Sequence, residues 1–367
     1  MVVDDSAVVR GLIVRMLEED PAVQVVASVS NGQMAVNTLE RLPVDVAILD
    51  IEMPVMDGLT ALPKLLAIDP ALKIIMASTL TVKNAEVSLR ALQAGAADYI
   101  PKPSTSRDLV GGQDFRQTLV AKVHALAHSA RRPGQPTRSV AAQPAAVSAR
   151  PTAPRPAPVP PHPGPVTLRQ PSPDLPEVIA IGSSTGGPQA LFAVLGGLKP
   201  GSVKQPILIT QHMPATFTTI LAQHINRVTG WEAAEGQDGE VIRAARVYLA
   251  PGDFHMLVEA RGTDKIIRLS KAAPENFCRP SVDPMLRTIA QAWGKRVLVV
   301  ILTGMGSDGL RGGQAVIAAG GTVIAQDEAS SVVWGMPGAV ATAGLCSAVL
   351  PLPEIAPYML KLAARRF

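Results

Sequence analysis

Short runs of apolar, β-favouring residues alternate with helix-length amphipathic stretches along this chain, and the alternation is interrupted once. Before the interruption the runs are VQVVASV, VDVAILD, KIIMAST and ADYIPKP; after it they are VIAI (Val178 to Ile181), PILITQHMP and VLVVILTG. Strand-length runs separated by helices predict βαβ units, and therefore parallel sheets covered by helices on both faces. Each half reads as a doubly wound α/β domain, in which ligands bind beyond the carboxyl ends of the strands.

The interruption spans residues 131–174, with 13 prolines in 44 residues and no aromatic side chain. Such a segment has no means of building a core, and its proline density favours extended polyproline II, so a semi-stiff tether is expected. The division that follows is residues 1–128 as one domain, 129–174 as linker and 175–367 as a second domain. At 367 residues the chain is long enough for two domains that each bury a core.

Charge looks informative until it is located. The net +4 and high pI suggest a nucleic-acid binder, but residues 131–174 alone hold six arginines and one aspartate. Residues 1–130 are net −4 and residues 175–367 net +3, so neither folded half carries the concentrated basic face that phosphate-backbone binding needs. No apolar run reaches the roughly 18 to 20 residues of a membrane span, and MVVDDS lacks the ordered regions of a signal peptide. A cytoplasmic, monomeric protein without membrane insertion or nucleic-acid partner is expected. Cys278 and Cys346 lie too far apart in sequence to suggest a disulfide framework or thiolate metal site, and read as packing or incidental surface.

In the first half the strand-end residues point to phosphoryl chemistry. Asp4 and Asp5 follow the first strand, Asp50 the third, Ser78 the fourth and Lys102 the fifth. Clustered carboxylates repel unless a cation sits among them, and oxygen ligands suit Mg²⁺. An aspartate beside Mg²⁺ can attack a phosphoryl group, with the metal and Lys102 neutralising its oxygens and Ser78 hydrogen-bonding one of them.

The second half opens on EVIAIGSSTGGPQ, Glu177 to Gln189. Gly182, Ser184 and Gly186 fit the G-x-S-x-G pattern of a serine on a sharp strand-to-helix turn, and Pro188 suits the first helical turn. The same turn could instead cradle phosphate at a helix N-terminus, and taken alone the two readings weigh equally. His212, ending PILITQHMP, and Asp308, in GMGSDG after VLVVILTG, decide for the nucleophile. Serine, histidine and aspartate on one rim of a parallel sheet form the set that acyl transfer requires. A nucleotide site has no use for His212, and the turn lacks the lysine of a P-loop. The chain order Ser, His, Asp differs from the α/β-hydrolase order, which argues for a separate fold with a convergent triad. His224 and His255 read as structural.

VVDDS, LDIEMPVMDGL, MASTLT and LQAGAADYIPKP resemble the receiver domain of two-component response regulators. AIGSSTGGPQAL, ITQHMPATFT, YLAPGDFHM, CRPSVDPML and LTGMGSDGLRGG resemble the catalytic domain of chemotaxis protein-glutamate methylesterases, a family that places receiver, tether and esterase in this order. The resemblance implies a flavodoxin-like receiver followed by a Rossmann-like catalytic domain. It implies that Asp50 accepts the phosphoryl group, that Asp4, Asp5, Asp50 and the Glu52 carbonyl hold Mg²⁺, and that Ser78, Tyr99 and Lys102 relay the signal. In the catalytic half it implies Ser184 as nucleophile, His212 as general base and Asp308 as its orienting partner, with Thr185 and Met305 beside the oxyanion and no cofactor for hydrolysis. Arg279 to Asp283 match a segment lining the cleft. The implied substrates are methyl-accepting chemoreceptors, with glutamine deamidation as a companion activity, and the implied phosphodonor is a chemotaxis histidine kinase. One departure stands out: receivers usually have more residues before the acidic pair, so a short first strand is expected here.

Overall fold

A computed structural model describes residues 1–79, 81–102, 113–130 and 166–364. The tether proper, residues 131–165, lies outside them.

The first half is a five-stranded parallel sheet in the order β2-β1-β3-β4-β5. Its elements run β1 (Val2–Val3), α1 (Ala7–Glu18), β2 (Ser28–Val29), α2 (Gly32–Leu39), β3 (Val46–Asp50), α3 (Gly58–Ile68), β4 (Lys73–Ser78), α4 (Val82–Gln93), β5 (Asp98–Pro101) and α5 (Gln113–Ala130). The strand-to-helix joints are set by the sequence: Ser6, Asn31, Asp57 and Thr81 each accept a backbone N–H from the first turn of α1, α2, α3 and α4 respectively. The first strand is short as expected, yet it sits between β2 and β3, and Met1 extends its pairing through bonds of its ammonium to the Val46 carbonyl and of its own carbonyl to Ile48 N–H. The VQVVASV run yields only two strand residues, because β1 offers only Val2 and Val3 as ladder partners for Ser28 and Val29.

The second half is a seven-stranded parallel sheet ordered β14-β13-β12-β6-β7-β9-β8. It comprises β6 (Val178–Ser183), α6 (Gly187–Leu198), β7 (Ile207–Gln211), α7 (Ala215–Thr229), β8 (Ala233–Glu235), β9 (Val247–Leu249), α8 (Val282–Trp293), β12 (Val297–Ile301), α9 (Leu310–Ala318), β13 (Thr322–Gln326), α10 (Met336–Thr342), β14 (Ala348–Leu350) and α11 (Leu352–Ala363). An antiparallel hairpin, β10 (His255–Arg261) with β11 (Asp264–Ser270), stands apart from the sheet. Strands β6, β7, β12 and β13 are buried along their whole length, which is why they read as continuous apolar runs. The chain winds from β6 through β7 in one direction and later returns to β12 on the other side of β6, so the switch point of the sheet falls between β6 and β12. Residues 166–174, grouped by composition with the tether, are bonded to this domain: Arg169 N–H to the Cys346 carbonyl, Ser172 N–H to Thr322 Oγ1, and Asp174 to Lys295.

Gly58 opens α3 against the strand end that carries Asp50. A Cβ at this position would lie 2.1 Å from the Asp50 carbonyl oxygen, while Gly58 N–H donates to the Ile51 carbonyl. Gly58→Ala therefore forces a backbone shift that should destabilise the first domain by ~1–3 kcal/mol. A lower denaturation midpoint is expected; an unchanged one would contradict this packing.

Candidate active site

Ser184 follows β6, His212 follows β7, and Asp308 lies in the loop between β12 and α9, so all three reach the carboxyl rim at the switch point. The serine turn is tightly held. Ser184 N–H donates to the Thr303 carbonyl, and the Ser184 carbonyl accepts from Gly187 N–H and from Gln211 Nε2. Gln211 Oε1 accepts from the Ser183 hydroxyl at 2.6 Å. The turn needs its glycines: Gly186 has φ +76°, and a Cβ on Gly187 would fall 1.9 Å from Gln211 Oε1.

Asp308 is the most heavily bonded group of the site. Its Oδ2 accepts from Val282 N–H at 2.6 Å and faces His212 Nε2 at 2.8 Å; its Oδ1 accepts from Asp283 N–H and from Asn276 Nδ2. The Ser281 hydroxyl lies 2.9 Å from both carboxylate oxygens. Val282 and Asp283 begin α8, so the carboxylate sits on a helix N-terminus, where free amides and the helix dipole favour negative charge. Burial alone would raise the Asp308 pKa, but the His212 contact and these amides bring it down to about 2. Asp283 beside it moves the other way, raised by burial and by the Asp308 charge, and its Oδ1 accepts from Gly309 and Gly312 N–H.

His212 is mostly buried and has a partner on each ring nitrogen. Nε2 meets Asp308, and Nδ1 faces the Cys278 sulfur at 3.4 Å. Cys278 is thus not incidental surface: it rests against the imidazole that the sequence marks as the base. Burial by itself lowers the His212 pKa, but the Cys278 and Asp308 contacts outweigh it and hold the imidazole above its ordinary value. Among the described residues no hydrogen bond joins the Ser184 hydroxyl to His212, although the two backbones are neighbours through His212 N–H to the Ser183 carbonyl. Sequence reasoning missed Asn276 and Gln211 as supports; it matched Ser281, within Arg279 to Asp283, to the cleft without a role, although CRPSVDP places a serine cap before a helix.

The receiver half covers one side of this rim. The Thr185 hydroxyl, next to Ser184, donates to Asp98 Oδ2 at 2.6 Å, and Asp98 is also paired with Lys122. Gln189 Nε2 donates to the carbonyls of Leu92 and Ala96. Tyr99 stacks on Phe217 of α7 with ring centroids 4.3 Å apart. Met305 and Val332 pack on an apolar cluster that joins Val333 to Ala97 and Ile100 of the receiver. Thr185 and Met305, assigned by resemblance to the oxyanion, therefore both lie at the contact between domains.

At the receiver's own rim, Asp4, Asp5 and Asp50 bring a carboxylate oxygen each within 4.8 Å of one another. Lys102 bridges Asp4 and Asp50 at 2.7 Å each. Burial raises the Asp50 pKa against the opposing pull of Lys102. An all-carboxylate set fits a hard divalent cation such as Mg²⁺. Glu52 has an exposed side chain paired with Lys83, and the Ser78 hydroxyl accepts from Ser88.

Known proteins agree with both halves. Residues 1–111 match the response regulator receiver domain and residues 179–359 the CheB methylesterase family. A curated relative from Paramagnetospirillum magneticum, protein-glutamate methylesterase/protein-glutamine glutaminase 1, is 70% identical over 100% of this chain and 96% of its own length. A relative from Rhodospirillum centenum with the same activities in its name is 64% identical over 100% of this chain and 94% of its own. The crystal structure of the Thermotoga maritima CheB methylesterase catalytic domain superimposes with TM-score 0.50 at 38% identity, covering 51% of this chain and 98% of that domain. The serine turn, the paired histidine and aspartate, and the receiver docked beside them thus have one common explanation: the chain belongs to the CheB methylesterase family, in the form that carries a response regulator receiver ahead of the esterase.

Proposed function

We propose that this chain hydrolyses γ-methyl esters of glutamate on chemoreceptors, and side-chain amides of receptor glutamines, through an acyl-enzyme on Ser184, under control of its own receiver. The observation that carries the reading is the buried Asp308 carboxylate, cradled by the α8 N-terminus and aimed at His212 beside the serine turn. With Nε2–H donated to Asp308, Nδ1 is the basic nitrogen. It exchanges the Cys278 sulfur that it faces for the Ser184 hydroxyl and takes the Ser184 proton as the oxygen attacks the γ-carbonyl, and backbone amides at Thr185 and Met305 hold the oxyanion. The imidazolium returns the proton to the departing methanol. Water, deprotonated by the same nitrogen, then attacks the acyl carbon, and Ser184 leaves with its proton restored. A glutamine follows the same route with ammonia as leaving group.

Asp50 is the phosphate acceptor, fed by a chemotaxis histidine kinase. Asp4, Asp5, Asp50 and the Glu52 carbonyl would hold Mg²⁺, which when bound neutralises charge on the phosphoryl oxygens. In the unphosphorylated state Lys102 ties Asp4 to Asp50, and Asp98 and Tyr99 hold the receiver on the catalytic rim. A phosphoryl group on Asp50 competes for Lys102, draws in Ser78, and shifts the strand end that carries Asp98 and Tyr99. Docking weakens and substrate gains the Ser184 rim.

Ser184→Ala and His212→Ala should each lower turnover by ~10⁴-fold or more, since the triad acts as a unit. Substantial methanol release from methylated receptor by Ser184→Ala would sink the acyl-enzyme. Because an imidazole must be neutral to accept a proton, and His212 is held above its ordinary value, kcat/KM should still be climbing as pH rises past the normal histidine range near 6.5. Cys278→Ala should move that limb to lower pH; a superimposable profile would show that the thiol does not tune the base. Gln189→Ala removes two bonds to the receiver at about 1 kcal/mol each, so the unphosphorylated chain should become more active, by up to roughly thirtyfold where the docked form dominates. The same substitution in a fragment starting at residue 166 should change nothing, and equal effects in both would refute the docking account.

A further inference from the structure

Beside the triad, one aromatic side chain is spent on no contact in the protein. Phe277 is 100% exposed, while every other tryptophan, tyrosine or phenylalanine among the described residues is at least partly covered. Its backbone is also unusual. Glu275 and Cys278 bond each other in both directions, N–H to carbonyl at 3.2 and 2.9 Å, closing a two-residue turn whose central residues, Asn276 and Phe277, have φ of +51° and +61°. Two successive positive φ values are the pattern of a type I′ turn, for which Asn-Gly is the unstrained choice. Asparagine in the first place follows that rule. Phenylalanine in the second does not, and a non-glycine residue there is strained. Local stability would be better served by glycine, with no burial to compensate the ring.

Every other residue of the turn is fastened, and the two that flank the ring are fastened to the triad. Asn276 Nδ2 donates to Asp308 Oδ1 at 2.8 Å and to Asp283 Oδ2 at 3.0 Å. The Cys278 sulfur faces His212 Nδ1. Glu275 is held by both guanidinium nitrogens of Arg287, at 2.9 and 2.6 Å, in the bidentate geometry that fixes orientation. The ring is therefore presented from a rigid mount, flanked on both sides by groups that touch the triad. The receiver leaves it uncovered, although it covers Thr185 on the same rim.

We propose that Phe277 is a substrate anchor, which packs against an apolar side chain next to the glutamyl ester on the receptor protein. This rests on the function proposed above, since it takes a protein, and not a free amino-acid ester, as the substrate. A rigid, exposed aromatic ring at the mouth of a site is the type of residue that dominates protein recognition, because it buries much apolar area with little side-chain entropy to lose. Its two sequence neighbours touch Asp308 and His212, which places the contact close to the reacting carbonyl. It also separates recognition from gating: the anchor stays open while the receiver blocks the serine side.

The test compares large and small substrates. Phe277→Gly removes the ring and relieves the turn, so the fold is expected to be kept. On methylated receptor cytoplasmic fragment its kcat/KM should fall about tenfold, the size of a typical aromatic anchor, while hydrolysis of free glutamate γ-methyl ester stays within about twofold of wild type. Phe277→Leu should recover most of the loss. Binding of the same receptor fragment to Ser184→Ala protein, with and without Phe277→Gly, reads the anchor without turnover and should weaken to the same degree. Wild-type protein that releases no methanol from the receptor would overturn the proposed function, and the binding arm would still judge the anchor. Unchanged receptor binding and turnover in Phe277→Gly, or an equal loss on the free ester, would overturn the anchor itself.

Discussion

The site depends on one buried carboxylate being kept ionised. Asp308 is almost wholly removed from water, which alone would favour its neutral form, yet its pKa is brought down to about 2. The difference comes first from the facing imidazole of His212 and then from the amides of Val282 and Asp283 at the start of α8, while the Ser281 hydroxyl and the Asn276 amide complete the hydrogen bonds of the carboxylate. Each donor depends in turn on a piece of backbone that the fold supplies: a helix start, a cap, a turn. The charge then fixes which nitrogen of His212 keeps its proton when the ring is neutral; the other is the one that faces Cys278. Removing the helix start would leave an uncompensated buried charge, which costs more than a lost hydrogen bond.

That arrangement explains why the domain is wound as it is. The switch point between β6 and β12 falls at the carboxyl rim, with the serine turn after β6 and the Asp308 loop after β12. The same rim is what the receiver touches. Thr185, adjacent to the serine, is bonded to Asp98, and Tyr99 of the receiver lies flat on Phe217. Asp98 and Tyr99 begin the strand that leads to Lys102, and Lys102 is tied to Asp50. A short path of ion pair, strand backbone and hydrogen bond therefore connects the acidic pocket of one domain to the residue beside Ser184 in the other.

Much of this was legible in the sequence because the chemistry lies at strand ends, where an apolar run stops abruptly at a polar residue. Asp50, Ser78, Ser184 and His212 stood out for that reason, and both sheets followed from the spacing of the runs. What stayed hidden depends on segments distant in sequence being brought together. Cys278 carries no motif of its own and meets His212 only because the 275–278 turn folds over the rim. Ser281 and Asn276 look like ordinary cap and turn residues until Asp308 arrives from the far side of β12. The β10–β11 hairpin was missed because its alternation is short and lies between longer parallel elements. Composition placed residues 166–174 with the tether, since backbone bonds such as that of Arg169 to Cys346 leave no trace in residue type.

The central claim is that Ser184, and not the thiol that faces the same imidazole, carries the acyl group. Rapid quenching of the chain during turnover of a glutamyl methyl ester, followed by peptide mass spectrometry, tests it directly. The account predicts a glutamyl adduct on the peptide containing Ser184 that disappears as substrate is exhausted and is absent in Ser184→Ala. An adduct on Cys278, or turnover that persists in Ser184→Ala, would contradict it.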